Sequence, residues 1–304
     1  SDNANTTDTE EVVVTIHGHN DAPTITVSSG STNTANLTET DSFLHTTGSF
    51  TVSDIDRTNT VSAEVLSITK SGETSGLLSS DAQLKAMLVL APAYPRVVLT
   101  SSEVVDQLEW EFNSSSEAFN YLGKDDTLTL TYSLRVTDDA NATADETVTI
   151  NISGSNDAPV ITAGPDTASF TEANTGLSTS GTLTVSDSDR TDLVTATRTL
   201  AVSGSSDRSD PAAPSDSDLL AMFSLDASTS SAILDATEQS DTLSWSFDSG
   251  TEAFDYLKDG DTLVLTYTVT ATDDDSTPLS DSQTVTITIT GTNDTPVITN
   301  GADA

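Results

Sequence analysis

The sequence predicts an all-β chain of two tandem sandwiches set end to end, with short helical insertions. Three observations carry this expectation. The 304 residues are lean in apolar (35%) and aromatic (5%) side chains and rich in Thr, Ser and Asp, which suit strands and turns better than helices. Short stretches alternate apolar and polar residues with a period of two and are separated by polar turns. The string Gly-x-Asn-Asp-x-Pro occurs three times, as GHNDAP from Gly18, GSNDAP from Gly154 and GTNDTP from Gly291, at spacings of 136 and 137 residues.

Those marks divide the chain into the terminal strand of a preceding repeat (1–20), a first repeat (21–156), a second repeat (157–293) and the start of a following one (294–304). Between them the two segments run in parallel. GSFTVSDIDR, ending at Arg57, answers GTLTVSDSDR, ending at Arg190, and the 30 residues from Trp110 match those from Trp245 at 17 positions without a gap. In the first repeat, strands are expected near 24–27, 48–53, 60–69, 96–99, 108–112, 127–137 and 146–153. Seven short strands fit an immunoglobulin-like sandwich.

Two brief helices are expected to interrupt each copy. One lies near 80–88 (217–223 in the second repeat), and one lies over SSSEAFNYL, where Ser114 and Glu117 have capping-box spacing, as do Ser249 and Glu252. The least similar stretches, 71–100 and 203–236, are where a repeat-specific surface belongs. Near the start, EEVVVTIHG matches the last strand of a copy, ETVTINISG from Glu146. This orphan strand, residues 10–18, must pair with an edge in this chain, exchange onto a neighbouring chain, or fray; otherwise a monomer is expected.

Composition also excludes function classes. Ten basic against 48 acidic residues give a formal charge of −38, which repels nucleic acid and acidic membrane faces and favours cations. There are no cysteines, so disulfides, thiolate metal sites and cysteine nucleophiles are absent. No stretch approaches the ~20 apolar residues of a membrane span, and the first residues lack the basic and apolar regions of a secretory signal. An internal piece of a longer protein is expected.

The segment from Trp110 or Trp245, the GTLTVSDSDR turn and the terminal TVTITITGTNDTPVIT together resemble the VCBS repeat family of very large bacterial adhesins. The resemblance covers both copies almost entirely. It implies an extracellular, cell-surface protein exported by type I secretion, often with calcium-binding RTX repeats elsewhere in the parent, and associated with cell adhesion and biofilm. It further implies cadherin-like repeats that stack on their neighbours in the same chain, with calcium at the joints. No run of the GGxGxD nonapeptide is present, so RTX-type binding is not expected in these residues.

Strand direction gives a separate reason to expect metal. In a sandwich whose chain enters at one pole and leaves at the other, the second strand and the penultimate strand both run back toward the amino pole. Asn20, Asp21, Asp54, Asp56, Asp138 and Asp139 should therefore converge there. The second repeat should gather Asn156, Asp157, Asp187, Asp189, Asp273 and Asp274 at the joint between the repeats, with Glu39 reaching across from the first. Glu172 is the counterpart of Glu39. Calcium takes six to eight oxygen ligands at ~2.3–2.6 Å in irregular geometry, which suits carboxylates and amide carbonyls on loops. The alternative is that Asp-x-Asp and Asn-Asp-Ala-Pro are ordinary turns whose side chains bond nearby amides.

The expected function is a calcium-stabilised structural extender that projects an adhesive region away from the cell. The rival is a glycan- or surface-ligand-binding module, with an aromatic platform near Tyr94 or Met222 in one copy only. An enzyme is not expected, because the acidic pairs recur at a joint. Trp110 and Trp245 sit in alternating strands beside Phe112 and Phe247 and are expected in the core. His17, His19 and His45 have no counterparts in the second copy, which argues against a metal role for them.

Overall fold

The computed structural model describes residues 9–91, 97–164, 166–226 and 232–296. In the first repeat the strands are β1 (Thr24–Val27), β2 (Thr34–Thr38), β3 (His45–Ser53), β4 (Val61–Gly72), β5 (Leu88–Ala91), β6 (Val97–Leu99), β7 (Val105–Asn113), β8 (Thr127–Asp138) and β9 (Thr143–Ser153). They form one sheet in the order β1-β3-β7-β5 and a second in the order β2-β9-β8-β4-β6. The second repeat contributes β10 (Val160–Thr162), β11 (Asp166–Thr171), β12 (Ser178–Ser186), β13 (Thr195–Gly204), β14 (Phe223–Leu225), β15 (Ser240–Asp248), β16 (Thr262–Thr272) and β17 (Ser280–Thr290). Its sheets, β10-β12-β15-β14 and β11-β17-β16-β13, repeat the arrangement save that no described strand answers β6. The chain is thus two tandem β-sandwiches.

Alternation drives the packing. Along β8, Leu128, Leu130, Tyr132, Leu134 and Val136 are fully buried, and every residue between them is more exposed. They join Phe50, Trp110, Phe112 and Ile150 in one core, while Leu263, Leu265, Tyr267, Trp245 and Phe247 anchor the other. Both tryptophans are core residues, as expected. Of the histidines, His17 and His19 are exposed and His45 pairs with Glu111 at 3.1 Å on the surface.

Two strands escaped the sequence pattern. β2 buries no residue fully and is held by parallel pairing to β9, a long-range partner its own residues do not announce. β5 follows directly on helix α1 (Asp81–Ala86), so the apolar run through Leu88 reads as the end of a helix. α1 is capped by Ser80 and Gln83, and α2 (Asp216–Ala221) by Ser215 and Asp218. Buried Tyr132 and Tyr267 fix both helices to the sheets, donating to Leu84 O at 2.9 Å and Leu219 O at 2.7 Å.

The helix expected over SSSEAFNYL does not form; the segment is a chain of turns in both repeats. Ser114 does not cap a helix. Its hydroxyl donates to Glu117 O at 2.5 Å and accepts from Leu44 N at 2.8 Å, while Ser115 and Phe119 take positive φ (57° and 66°). Ser249 does the same with Glu252 O (2.6 Å) and Leu177 N (2.8 Å). Capping-box spacing arises here because a tight turn and a helix start make the same local hydrogen-bond demand.

Of the three fates left open for the orphan strand, residues 10–18 take the unpaired one within this chain. Described residues 9–20 form no strand, and Val12, Val13, Val14 and Ile16 are 76–88% exposed. The matching strands β9 and β17 are each flanked on both sides, which residues 10–18 are not. Tyr94 and residues 297–304 lie outside the described residues. Met222, the other anchor of the ligand-binding reading, caps α2 and packs against the core, so it offers no platform.

Ser114→Ala and Ser249→Ala should each lower stability by about 1–3 kcal/mol, because a buried amide (Leu44 or Leu177) loses its acceptor. Far-UV circular dichroism should not change, since no helix is lost. Denaturant unfolding with circular dichroism detection checks both.

Candidate metal centre

The amino pole of each repeat is assembled by antiparallel pairing. Thr24 pairs with Ser53 and Val61 with Asp138, so the turn after β3 and the end of β8 meet the incoming chain. Asn20 donates to Asp138 Oδ2 at 2.9 Å, Asp21 N donates to Asp56 Oδ2 at 2.7 Å, and Asp56 N donates to Asp54 Oδ1 at 2.9 Å. Asp139 is exposed.

The second repeat builds the same frame against the first. Val160 pairs with Ser186 and Thr195 with Thr272. Asp157 N donates to Asp189 Oδ2 at 2.6 Å, Asp189 N to Asp187 Oδ1 at 3.0 Å, and Asn156 to Asp273 Oδ2 at 3.2 Å. Asp273 also accepts from Leu279 N at 3.0 Å. Asp274 is exposed, and its Oδ1 accepts from Leu193 N at 2.9 Å.

From the first repeat, Glu39 is 1% exposed and fixed by its own backbone: its N–H donates to Ser153 O at 2.8 Å, and its Oε1 accepts from Ser155 N at 3.0 Å and from the Ser155 hydroxyl. The loop 119–126 then packs on the turn after β12. Arg190 N donates to Tyr121 O at 3.4 Å, Thr191 to Asp126 Oδ2 at 3.2 Å, and Lys124 reaches Ser276. The glycines of the second and third Gly-x-Asn-Asp-x-Pro marks pack against the turn loop of their own repeat, whereas Gly18 of the first has nothing within 4 Å. A Cβ on Gly154 would lie 2.1 Å from Gly123 O, and one on Gly291 would lie 2.4 Å from Lys258 O.

What distinguishes the joint is its uncompensated oxygen. Glu39 Oε2, Asn120 Oδ1, Asn156 Oδ1, Asp157 Oδ2, Asp187 Oδ2, Asp189 Oδ1, Asp192 Oδ2 and Asp275 Oδ2 are buried without a hydrogen-bond donor. None of these residues enters a salt bridge among the described residues. Buried acceptors on this scale are costly unless water or a cation binds them. The turn-only alternative accounts for the other oxygen of Glu39, Asp187 and Asp189, which each accept an amide, but not for these.

Three of the residues, Asp187, Asp189 and Asp192, bring carboxylate oxygens within 4.8 Å of one another. Oxygens on opposite sides of a calcium ion stand up to about 5 Å apart, so the spacing fits. The all-oxygen donor set, without His or Cys, suits a hard cation. A second group, Glu172, Asp255 and Asp294, gathers at the far pole of the second repeat with the same oxygen spacing.

Asp192, Asp275, Asn120 and Asp255 were not singled out from sequence. Asp192 lies just beyond the aligned SDSDR, and Asp275 follows the aligned Asp-Asp pair; both are places where the two copies differ. Asn120 and Asp255 sit inside the segment expected to be helical.

Electrostatics follow from this crowding. Burial, with the charges of Asp157, Asp192 and Asp187, pushes the Asp189 carboxyl up to about 8. Burial, with four neighbouring aspartates, raises Asp192 to about 7. Asp187 and Asp157 rise to about 6, mainly by burial, helped by Asp273 in one case and Glu39 in the other.

No family model and no curated protein matches the chain. Among solved structures it is similar to human CDH23 EC21-23 (15% identity, 84% of this chain and 67% of that, TM-score 0.40). It is also similar to the protocadherin gamma B2 extracellular cadherin domains 1-5 (17% identity, 91% and 41%, TM-score 0.41) and to the titin domains z1z2 (15% identity, 90% and 99%, TM-score 0.30). The chain spans 41% to 67% of the length of these two cadherin structures.

These shifts set a pH dependence. The four carboxyls take up protons at about 6 to 8 when folded but at about 4 when unfolded. Between those values the folded chain holds more protons, so stability falls as pH rises. Chelated protein should therefore melt at progressively lower temperature from about pH 5 to about pH 8. Calcium should flatten that decline and bind more tightly at the alkaline end; thermal unfolding across pH checks both.

Proposed function

We propose that the chain is a calcium-stiffened extender: two VCBS-type repeats, bounded at 21–156 and 157–293, from a large secreted bacterial cell-surface adhesin. The observation that carries the reading is the set of buried, donorless oxygens drawn from both repeats at one joint. Glu39 and Asn120 come from the first repeat, Asn156 and Asp157 from the linker, and Asp187, Asp189, Asp192 and Asp275 from the second; Asp273, whose oxygens accept from Asn156 and from the amides of Asp275 and Leu279, stands beside them. Together these residues would hold calcium. Calcium supplies the positive charge that they lack.

The chain's own residues do the positioning. β2 and β9 hold Glu39 at the carboxyl pole of the first repeat, and the turn after β12 holds Asp187 and Asp189 at the amino pole of the second. Without a cation these carboxylates repel one another, and the direct contacts across the joint are a few surface hydrogen bonds. With it, bound positive charge ties both repeats and the linker together at the joint. Extracellular modules bind calcium at about 10⁻⁴ to 10⁻³ M, so such sites stay open inside a cell and fill outside it. That suits a chain exported unfolded and ordered after exit. Asn20, Asp21, Asp54, Asp56 and Asp138 would form a corresponding site at the amino pole of the first repeat.

Calcium at a hundred times its Kd should stabilise the protein by about 2.7 kcal/mol per site. For repeats of this size that raises Tm by about 5–10 °C. Glu39→Gln, which keeps shape and removes charge, should weaken binding about tenfold, the scale of one lost charge-assisted ligand. Calorimetric titration and thermal unfolding measure both effects. A Tm indifferent to calcium would overturn the proposal.

A further inference from the structure

The two amino poles share a frame but differ at two positions that face it. Asp54, Asp56 and Asp138 correspond to Asp187, Asp189 and Asp273. Beyond them, the second repeat carries Asp192 and Asp275 where the first carries Asn59 and Ala140.

The difference is one of chemistry as well as charge. Asp192 is 7% exposed, its Oδ2 has no donor, and it stands with Asp187 and Asp189, themselves 4% and 1% exposed and each with one donorless oxygen. Asp275 Oδ2 is a further buried, donorless oxygen. At the corresponding place Asn59 is half-buried, carries no charge, and donates its amide to Asn20 Oδ1 at 2.7 Å. Ala140 offers no side-chain oxygen. Asp54 Oδ2 is left as the one buried, donorless carboxylate oxygen of the first pole among the described residues.

Resting on the calcium reading above, we infer that the joint holds two separable cation centres, of which one belongs to the second repeat alone and is missing from the first. That centre is made by Asp187, Asp189, Asp192 and Asp275. The other straddles the repeats and draws on Glu39, Asn120 and Asp157. The amino pole of the first repeat, lacking the additional carboxylates, takes one ion fewer and forms the softer of the two connections. Stiffness along the fibre is thereby set repeat by repeat, through residues five positions after the first Asp of Ser-Asp-x-Asp and two after the Asp that ends β8 or follows β16.

Calcium bound per chain, counted by equilibrium dialysis on the full chain, tests this. Asp192→Asn should lose one ion and retain the others, and the double variant Asn59→Asp, Ala140→Asp should gain one. Both substituted positions of the double variant lie outside the core, so it keeps the inference testable even if Asp192→Asn fails to fold by circular dichroism. An unchanged count in Asp192→Asn, loss of every joint ion at once, or no gain in the double variant would each overturn the two-centre inference. Wild-type protein that binds no calcium would instead overturn the reading on which it rests.

Discussion

Buried negative charge without a protein counter-charge is the constraint on which the joint depends. With 48 acidic against 10 basic residues, the chain could place most of its carboxylates in water, and largely does. At the joint it buries them instead. Desolvating an ion costs several kcal/mol unless a partner compensates, and the four described salt bridges lie elsewhere. On the calcium reading proposed above, the connection between the repeats is conditional on a charge that the chain does not itself provide.

The sandwich topology imposes that convergence. β1 with β3, and β4 with β8, are antiparallel pairs, so three segments spread over more than a hundred residues end at one pole. Parallel pairing of β2 with β9 places Glu39 at the opposite pole, beside the chain leaving toward the next repeat. Neither device depends on the details of the core, which differs between copies: Phe223 stacks on Tyr267 at 4.3 Å in the second repeat where Leu88 stands in the first. Core substitution of this kind is tolerated while pattern and volume are kept, and the polar poles are left intact.

Most of this was legible in the sequence because strands with one buried face write a period of two, and because the chain states its plan twice. Direction follows from strand order alone, which is enough to bring Asp187 and Asp273 to one pole. What was hidden was hidden for physical reasons. β2 is held by lateral pairing and buries little, so TANLT carries no pattern. Ser114 and Glu117 satisfy the same local hydrogen-bond logic in a turn as in a helix start. Asp192 was masked because it lies where the copies diverge, and repetition, the strongest signal available, points away from such positions.

The central claim is that a cation fixes the relation of one repeat to the other. Small-angle scattering of the full chain in millimolar calcium, and again after chelation, measures that relation directly. The account predicts the profile of a single extended rod with calcium and of a flexible pair, with broadened distance distribution, without it. Superimposable profiles would contradict it and leave the buried carboxylates to protons alone.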